Sequence, residues 1–286
     1  MYTLEVENIR HEILELTHCE SDYQILSIDG LNPPQATINR SKIVGLDGSK
    51  FNSSRVEDRN IVILVKLNGD VEANRLKLYQ YFNTKQWCKL YYKNRNRDVY
   101  IEGYVETMEV SPFTKDETVQ ISIICPEPYF KSAQAIIDDV SKITSMFTFP
   151  FAIDSGDPIE FSAIENSRVT NVYNESESET GLTITITVGG PVSKIKLVDV
   201  VNNEWLELIR NFIQNDIITI NTNRGQKSIK LTRNGVDYNI FASMTRGSTF
   251  FQLEIGDNFF SYLADDGDSD ELLSIIFEHV NMYRGV

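Results

Sequence analysis

Hydrophobic and polar residues alternate along much of this chain, with a period of two. Near the N-terminus, Tyr2, Leu4 and Val6 alternate with polar residues, and the same pattern recurs over 118–125 and 183–188. Alternation of this kind is typical of strands with one buried face, and glycine, proline and asparagine separate the segments. The pattern predicts a mainly β protein built from many short strands.

A single convincing helix interrupts the first half of the chain. A β-rich segment over 59–68 is followed by Gly69 and Asp70. Asp70 is a suitable N-cap, and Val71, Leu78 and Phe82 then recur at helical spacing. The spacing predicts a helix over about residues 70–84, whose apolar stripe packs on the first sheet.

The length of 286 residues and the hydrophobic content of 41% predict two domains, because this exceeds the usual size of one core. We place an N-terminal domain at 1–130, a linker at 131–150 and a C-terminal domain at 151–286. The evenly spaced short strands of the second half predict that the C-terminal domain is a β-sandwich.

A long polar stretch over 39–59 follows the turn-rich segment 29–34. It is longer than most connections in compact domains. It therefore predicts either a loop or a protruding hairpin.

The charge balance excludes some partners. The chain has 27 basic and 41 acidic residues, a formal net charge of −14. Binding to nucleic acid or to anionic lipid requires an excess of Lys and Arg. The acidic charge of this chain therefore argues against both as binding partners. No apolar stretch approaches 18 residues and the N-terminus does not resemble a signal peptide, so we expect no membrane anchoring. Three scattered cysteines, Cys19, Cys88 and Cys125, have no CxxC spacing, which fits synthesis in a reducing compartment such as the host cytoplasm.

Candidates for chemistry are few. His18 and Cys19 are adjacent, but a catalytic pair also needs a third, orienting group. The acidic run 265–271 could bind calcium through carboxylate oxygens, although its glycine is misplaced for an EF-hand loop, so a solvated acidic turn is the preferred interpretation. The run 175–179 is interpreted as an exposed loop. We therefore predict no catalytic residue, no cofactor site and no metal site, and interpret the chain as not an enzyme.

Several weak motifs in a fixed order resemble the distal tail proteins of long-tailed phages that infect Gram-positive bacteria. They are the Gly69-Asp70-Val71 helix start, the hairpin over 87–105 and the segment 121–130, a strand that ends in Pro128-Tyr129. In the C-terminal half, the strand 216–222 and the segment 250–258, with its phenylalanine, leucine, glycine and asparagine, continue the resemblance. It spans nearly the whole chain.

The resemblance implies a structural function. Six copies of such a protein form a ring that joins the tail tube to the tail hub. The ring is built by the N-terminal domain, which the resemblance implies to be a β-sandwich decorated by one helix. The C-terminal domain is then a galectin-like β-sandwich on the outside of the ring, where receptor-binding or side-fibre proteins attach. DNA only passes through the lumen, and the protein is located at the tail tip of a virion or a phage-like particle, including bacteriocins.

Two residues are candidate subunit or partner contacts. Leu76 lies off the apolar stripe of the predicted helix, where it either contacts a neighbouring subunit or is an isolated surface leucine. Trp205 lies in a segment typical of a hairpin arm or a short helix. Its alternatives are core packing, a partner contact, or stacking on a sugar ring in a carbohydrate-binding adhesin that recognises cell-wall glycans. A cell-wall hydrolase is a weaker third alternative, because no carboxylate pair stands in a recognisable context.

Overall fold

The computed structural model describes residues 2–45, 47–111, 116–144, 163–166, 169–265 and 272–286. The chain folds as two compact units. Unit 1 comprises Met1–Ala133 together with Met282–Val286, and unit 2 comprises Gln134–Asn281. The expected mainly β fold with two domains and one helix is confirmed.

Unit 1 is organised around one large antiparallel sheet. Its strands are β1 (Thr3–Glu7), β2 (Ile13–Leu16), β3 (Tyr23–Asp29), β6 (Arg59–Leu67), β7 (Trp87–Lys93), β8 (Asp98–Ser111), β9 (Thr118–Cys125), β10 (Phe130–Ser132) and β23 (Met282–Tyr283). The main order is β2-β1-β7-β8-β9-β6-β3, and β10 pairs with both β8 and β23. A separate two-stranded sheet is formed by β4 (Ala36–Ser41) and β5 (Lys50–Val56).

The edges of the large sheet approach each other. Thr17, which follows β2, forms a parallel bridge with Gln24 in β3. The Thr17 amide donates to the Tyr23 carbonyl, and the Ile25 amide donates to the Thr17 carbonyl at 2.7 Å. The two layers expected for this domain are therefore two parts of one rolled sheet, whose inward residues share a single core.

The one α-helix of the described residues, α1 (Val71–Tyr81), begins as the sequence indicates. The Asp70 side chain accepts a hydrogen bond from the Ala73 amide at 3.1 Å. Leu78 and Phe82 are buried in the core of unit 1, and Val71 packs against that core. The apolar stripe of α1 therefore packs where it was expected.

Unit 2 contains two antiparallel sheets that share one core. The first has the order β11-β22-β15-β18-β19-β20 and the second the order β14-β21-β16-β17; a further pair, β12 with β13, stands apart. The strands are β11 (Ile136–Asp139), β12 (Ser141–Thr144), β13 (Ala163–Asn166), β14 (Thr170–Asn174), β15 (Leu182–Val188), β16 (Val192–Asp199), β17 (Glu204–Phe212), β18 (Ile217–Asn221), β19 (Ser228–Arg233), β20 (Val236–Asn239), β21 (Gly256–Ala264) and β22 (Leu273–His279). Inward residues of both sheets interdigitate, so unit 2 is a β-sandwich.

The structure differs from the sequence-based domain limits in two places. In the described part of the expected linker 131–150, β11 joins the first sheet of unit 2 by pairing with β22. The last five residues, expected within 151–286, belong to unit 1 because β23 pairs with β10. Residues 145–150 of the expected linker lie outside the described residues. Neither difference has a sequence signal, because strand pairing over more than 100 residues leaves no local pattern.

The segment 250–253, the first part of the motif 250–258, forms no regular strand and has only an isolated bridge between Thr180 and Leu253. Phe251 and Leu253 are nevertheless fully buried. Their alternation therefore reports burial and not regular pairing. Among the described residues, no helix is long and apolar enough to cross a membrane.

Candidate interaction surfaces

The hairpin formed by β4 and β5, which we call the arm (36–56), is the most exposed element of unit 1. Each of its described residues is exposed, on both faces of the hairpin. Of the two alternatives for the polar stretch 39–59, the protruding hairpin is therefore correct.

The arm has two chemically different faces. Strand register pairs Ala36 with Val56, Ile38 with Ser54 and Arg40 with Phe51. Because side chains alternate along a strand, and the bulge between Asn39 and Arg40 preserves this arrangement, these pairs share one face.

The opposite face of the arm is polar. It carries the pairs Thr37 with Arg55, Asn39 with Ser53 and Ser41 with Lys50. Ile43 and Val44 add exposed apolar surface towards the tip. The arm is thus amphipathic although neither face is buried within the chain.

Arg59, just after the arm, has the opposite environment. It is only 3% exposed, and its guanidinium donates to the carbonyls of Gly30, Asn32, Pro128 and Arg284. The contacts to Asn32 and Pro128 are each 2.7 Å and that to Arg284 is 2.6 Å. Four of the five guanidinium N–H groups are used, so the charge is held by carbonyl dipoles.

The ring of Phe130 completes the surroundings of Arg59. The guanidinium carbon lies 4.6 Å from the centre of this ring. Burial lowers the pKa of Arg59 from its usual value, although a guanidinium remains protonated in proteins. We call Arg59 and its four carbonyl acceptors the Arg59 cluster.

The C-terminus is tied into this cluster. The Val286 amide donates to the Leu31 carbonyl at 3.1 Å, and a side chain added at Gly285 would lie 3.1 Å from the same carbonyl oxygen. The guanidinium of Arg97 lies 3.7 Å from the centre of the Tyr283 ring. The final five residues are therefore a structural part of unit 1.

Arg59 was not among the predicted site residues, although its position in the strand carries a signal. Arg59 is in phase with Ile61, Ile63, Val65 and Leu67, all of which are buried. A strand that begins with an arginine on its inward face needs acceptors for that charge. No sequence pattern indicated that carbonyls from three distant segments would supply them.

Leu76 and Trp205 lie in different surroundings. The side chain of Leu76 is 52% exposed on α1, next to the exposed Tyr79. Trp205 is half-buried in β17, where Lys196 lies 5.1 Å from the ring centre and Gly247 packs against the ring edge. Its segment is a hairpin strand and not a short helix. Whether either residue contacts a partner stays a prediction.

On the outward face of the β14-β21-β16-β17 sheet, both aromatic and polar side chains lie near Trp205. Register places Trp205 opposite Val198, Val198 opposite Ser261 and Phe259 opposite Asn171. Phe259 is exposed, as is Tyr173 on the neighbouring strand. The face therefore combines aromatic rings with hydrogen-bonding side chains.

The described residues of the two acidic runs make contacts with other segments of unit 2. Asp265 accepts hydrogen bonds from the amides of Ser193 and Lys194, at 3.0 and 2.9 Å, and from the Ser193 hydroxyl at 2.7 Å. The hydrogen bond from that hydroxyl is the main cause that lowers the pKa of Asp265. Residues 266–271 of the first run lie outside the described residues.

In the second acidic run, Glu179 pairs with Arg224. The serines between its glutamates, Ser176 and Ser178, are buried instead of exposed. Among the described residues, no group of three or more histidine, cysteine or acidic side chains is placed to hold a metal ion.

His18 and Cys19 are adjacent in space as well as in sequence. The Cys19 sulfur lies 3.7 Å from Nε2 of His18. The ring of His18 also stacks on Tyr2 with centres 4.9 Å apart. This stacking accounts for the orientation of the imidazole ring.

His279 is the one buried histidine of the described residues, at 2% exposure in unit 2. It ends β22, opposite Leu182 on one side and Ile136 on the other. Burial is the main cause that lowers its pKa from the usual 6.5, while nearby Asp138 acts in the opposite direction. The ring is therefore neutral at pH 7.

Comparison with known proteins places both parts of the chain. Residues 9–125 match the phage tail protein RIFT-related domain, and residues 175–279 match the C-terminal domain of the siphovirus-type tail component. No curated protein matches the chain in a sequence search.

Solved structures of similar fold extend over the full length. The Dit protein of phage SPP1, described as a paradigm of the hub adsorption apparatus in phages that infect Gram-positive bacteria, aligns with a TM-score of 0.72 at 12% identity, covering 99% of each chain. A chain of the phage P2 baseplate in its activated conformation with Ca aligns with a TM-score of 0.60 at 14% identity, covering 100% of each chain. Two tail-protein domains in the same order, within one fold that matches end to end, show that the chain belongs to the siphovirus-type tail component family and is a component of a phage tail.

Proposed function

We propose that six copies of this chain form a closed ring at the tip of a phage or phage-like tail, joining the tail tube to the tail hub. The observation that carries the proposal is the end-to-end match to the SPP1 Dit protein, together with the family membership of both units. In this proposal unit 1 forms the ring and unit 2 lies outside it, available to receptor-binding or side-fibre proteins.

The physical properties of the chain support a conduit without chemistry of its own. A ring requires the same two complementary patches on every copy, repeated around an axis. A channel that passes DNA must not retain phosphate, and a net charge of −14 per copy is suited to that requirement. The proposed function is therefore mechanical, with neither catalysis nor a cofactor.

Imaging of particles tests the ring. Tails that contain this chain should show six-fold density at the tip in negative-stain class averages, and antibodies against the chain should label that position. A chain that is absent from the tail tip, and monomeric at every concentration in mass photometry, contradicts the proposal.

The outward face around Trp205 favours a second candidate function, an adhesin that binds cell-wall glycans. Exposed Tyr173 and Phe259 share this face with hydrogen-bonding side chains, and aromatic rings can stack on sugars. Glycan-array binding that is lost in both Phe259→Ala and Trp205→Ala variants would support it. Absence of binding by the wild-type chain at high concentration would reject it.

A further inference from the structure

The strand β20 is the outermost strand of the six-stranded sheet of unit 2, and all four of its residues are exposed. It follows β19 through the two-residue turn Asn234-Gly235, in which φ is positive at both residues, 53° and 75°. This is the backbone of a tight hairpin turn, and it places Arg233 opposite Val236. The hairpin is therefore regular up to the free edge of the sheet.

The hydrogen-bonding pattern of this hairpin shows which backbone groups of β20 are unused. A two-residue turn makes its flanking residues a hydrogen-bonded pair, and such pairs alternate along the strands. The Ile240 amide donates to the Ile229 carbonyl at 3.0 Å, in agreement with this phase. The N–H and C=O groups of Asp237 and Asn239 therefore point away from β19, and they form no hydrogen bond with the described residues.

Apolar side chains lie beside these unused backbone groups. Tyr238 is opposite the buried Leu231, so Tyr238 and Val236 lie on the side of the sheet that faces the core. They are nevertheless 47% and 51% exposed, which shows that the four-stranded sheet leaves β20 uncovered. Phe241, 43% exposed, continues this surface and stacks on Phe250 with ring centres 5.7 Å apart. We call β20 and Phe241 the β20 edge.

The chain around the β20 edge is basic, although unit 2 as a whole is acidic. Unit 2 has 10 basic and 22 acidic residues. The segment 217–253, which contains β18, β19 and β20, has five of these basic residues but only one of the acidic ones, Asp237. A partner of complementary charge at this edge is therefore acidic.

Most of this positive charge is not used within the chain. Two of the five cations have acidic partners, in the pairs Arg224 with Glu179 and Arg233 with Asp216. Among the described residues, no ion pair is formed by the other three, Lys227, Lys230 and Arg246.

Two of the unpaired lysines lie beside the β20 edge. Lys230 is opposite Asn239, on the strand next to the edge and on the outward face of the sheet. Lys227 lies 5.4 Å from the centre of the Phe250 ring, which stacks on Phe241. Both ammonium groups are therefore within reach of a strand that pairs with β20.

We propose that an extended, acidic segment of another tail protein pairs with β20 and adds a seventh strand to this sheet. Pairing satisfies the unused backbone groups of Asp237 and Asn239. Alternate apolar side chains of the segment cover the exposed face of β20, and its carboxylates pair with Lys227 and Lys230. This inference rests on the proposed function, in which unit 2 is available to other proteins, and names the surface and the chemistry of the partner. Pairing of two copies through this edge is disfavoured, because the segment 217–253 has a formal charge of +4 in each copy.

Two variants at one position separate backbone pairing from charge. Asp237→Pro removes an N–H that β19 does not use, so the hairpin should keep its own hydrogen bonds. The matched control Asp237→Ala removes the same carboxylate and keeps the N–H. The probe is a peptide of about eight residues, the length of a long strand, selected from a random library on the full-length chain. The selection should enrich β-branched residues that alternate with aspartate and glutamate.

Fluorescence anisotropy of the labelled peptide measures its affinity for each variant. Asp237→Pro should weaken binding at least about tenfold, because a hydrogen bond is lost and the proline ring blocks the approach of a strand. Asp237→Ala should change the affinity by less than about threefold, because it keeps the N–H. Equal binding by the wild type and Asp237→Pro would overturn the proposal, as would an equal loss in both variants.

A modified peptide tests the same hydrogen bonds on the wild-type chain, whether or not the proline variant folds. N-methylation of alternate backbone amides, in the phase that faces β20, should weaken binding at least about tenfold, and the opposite phase should not. Equal effects of the two phases would exclude strand pairing.

The charge of the site has its own control. Lys230→Glu should weaken peptide binding about fivefold, and raised salt should weaken it in the wild type. Lys42→Glu, at an exposed position of unit 1, should change it by less than about twofold. Failure to enrich acidic peptides, with polyphosphate binding that depends on Lys230 but not on Asp237→Pro, would identify a site for anionic polymers and overturn the proposal.

The binding measurement is independent of the ring, because it uses the isolated chain. Six-fold tips in which the wild-type chain binds no acidic peptide would overturn this inference and leave the ring standing. Tails without any ring would contradict the proposed function itself, even where the peptide still binds.

Discussion

The Arg59 cluster and the arm adjoin each other in sequence, and each places an arginine beside a phenylalanine ring. In the cluster both side chains are buried, whereas in the arm both are exposed. Arg59 is buried and donates to four carbonyls, while Arg40, in the fifth strand pair from the root of the arm, is exposed beside the exposed Phe51. Contacts within the chain satisfy four of the five N–H groups of Arg59, whereas the side chains of Arg40 and Phe51 stay exposed. The difference separates residues that stabilise unit 1 from residues that remain available to a partner.

The largest expected effect on stability is at Arg59, and Arg55 of the arm is its matched control. Arg59→Met should lower the free energy of unfolding of unit 1 by about 4 kcal/mol, because four carbonyls lose the buried guanidinium that donates to them. The same change at Arg55, which is exposed, should cost less than about 0.5 kcal/mol. Urea denaturation followed by tryptophan fluorescence measures both. Similar losses in the two variants would contradict the contrast between the cluster and the arm.

Removal of the C-terminal tail is the next test. Deletion of Met282–Val286 removes β23 and one acceptor of Arg59, and should destabilise unit 1 by about 3 kcal/mol. Deletion of Val286 alone removes the hydrogen bond that its backbone amide donates to the Leu31 carbonyl, and should cost about 1 kcal/mol. Hydrogen exchange of amides in β10 reports the loss. Unchanged protection in the five-residue deletion would show that the tail is not part of unit 1.

The pH dependence of unit 2 offers a contrast with Arg59, because His279 is buried without its charge. Since burial lowers its folded-state pKa below 6.5, the unfolded state binds the proton more readily. Stability should therefore fall as pH decreases below 6.5, by at most about 1.4 kcal/mol per pH unit, until the folded-state pKa is reached.

A variant isolates this contribution from other titrating groups. His279→Gln should flatten the stability profile of unit 2 between pH 6.5 and the folded-state pKa, and His18→Gln, at an exposed site, should leave it unchanged. Thermal unfolding across this pH range is the measurement. An identical slope in the wild type and His279→Gln would exclude His279 as the cause.

The smallest expected effect on stability is at Phe51. Phe51→Ala removes an exposed ring from the arm, so the free energy of unfolding should change by less than about 0.5 kcal/mol. Phe130→Ala, at a ring that is 1% exposed in the core, should cost about 4 kcal/mol. A large loss at Phe51 in chemical denaturation of dilute, monomeric protein would show that the arm packs on its own chain.

Local sequence patterns were enough to predict many of the strands, the start of the helix and the family. Alternation identified strands such as β1 and β15 because each has one inward face, and the N-cap at Asp70 identified the start of α1 because its side chain caps a local amide. The order of several weak motifs was enough to indicate the family. These signals are local or depend only on the order of segments along the chain, so they can be read from a single sequence.

Tertiary structure alone decided which segments complete each unit. The pairing of β23 with β10 and the meeting of Arg59 with the carbonyl of Arg284 join residues more than 150 positions apart. The amphipathic character of the arm likewise depends on the register that places Phe51 beside Arg40. Hydrophobic periodicity reports whether a side chain faces inward, but the identity of its neighbour is set by how distant strands pair, and that has no local signature in the chain.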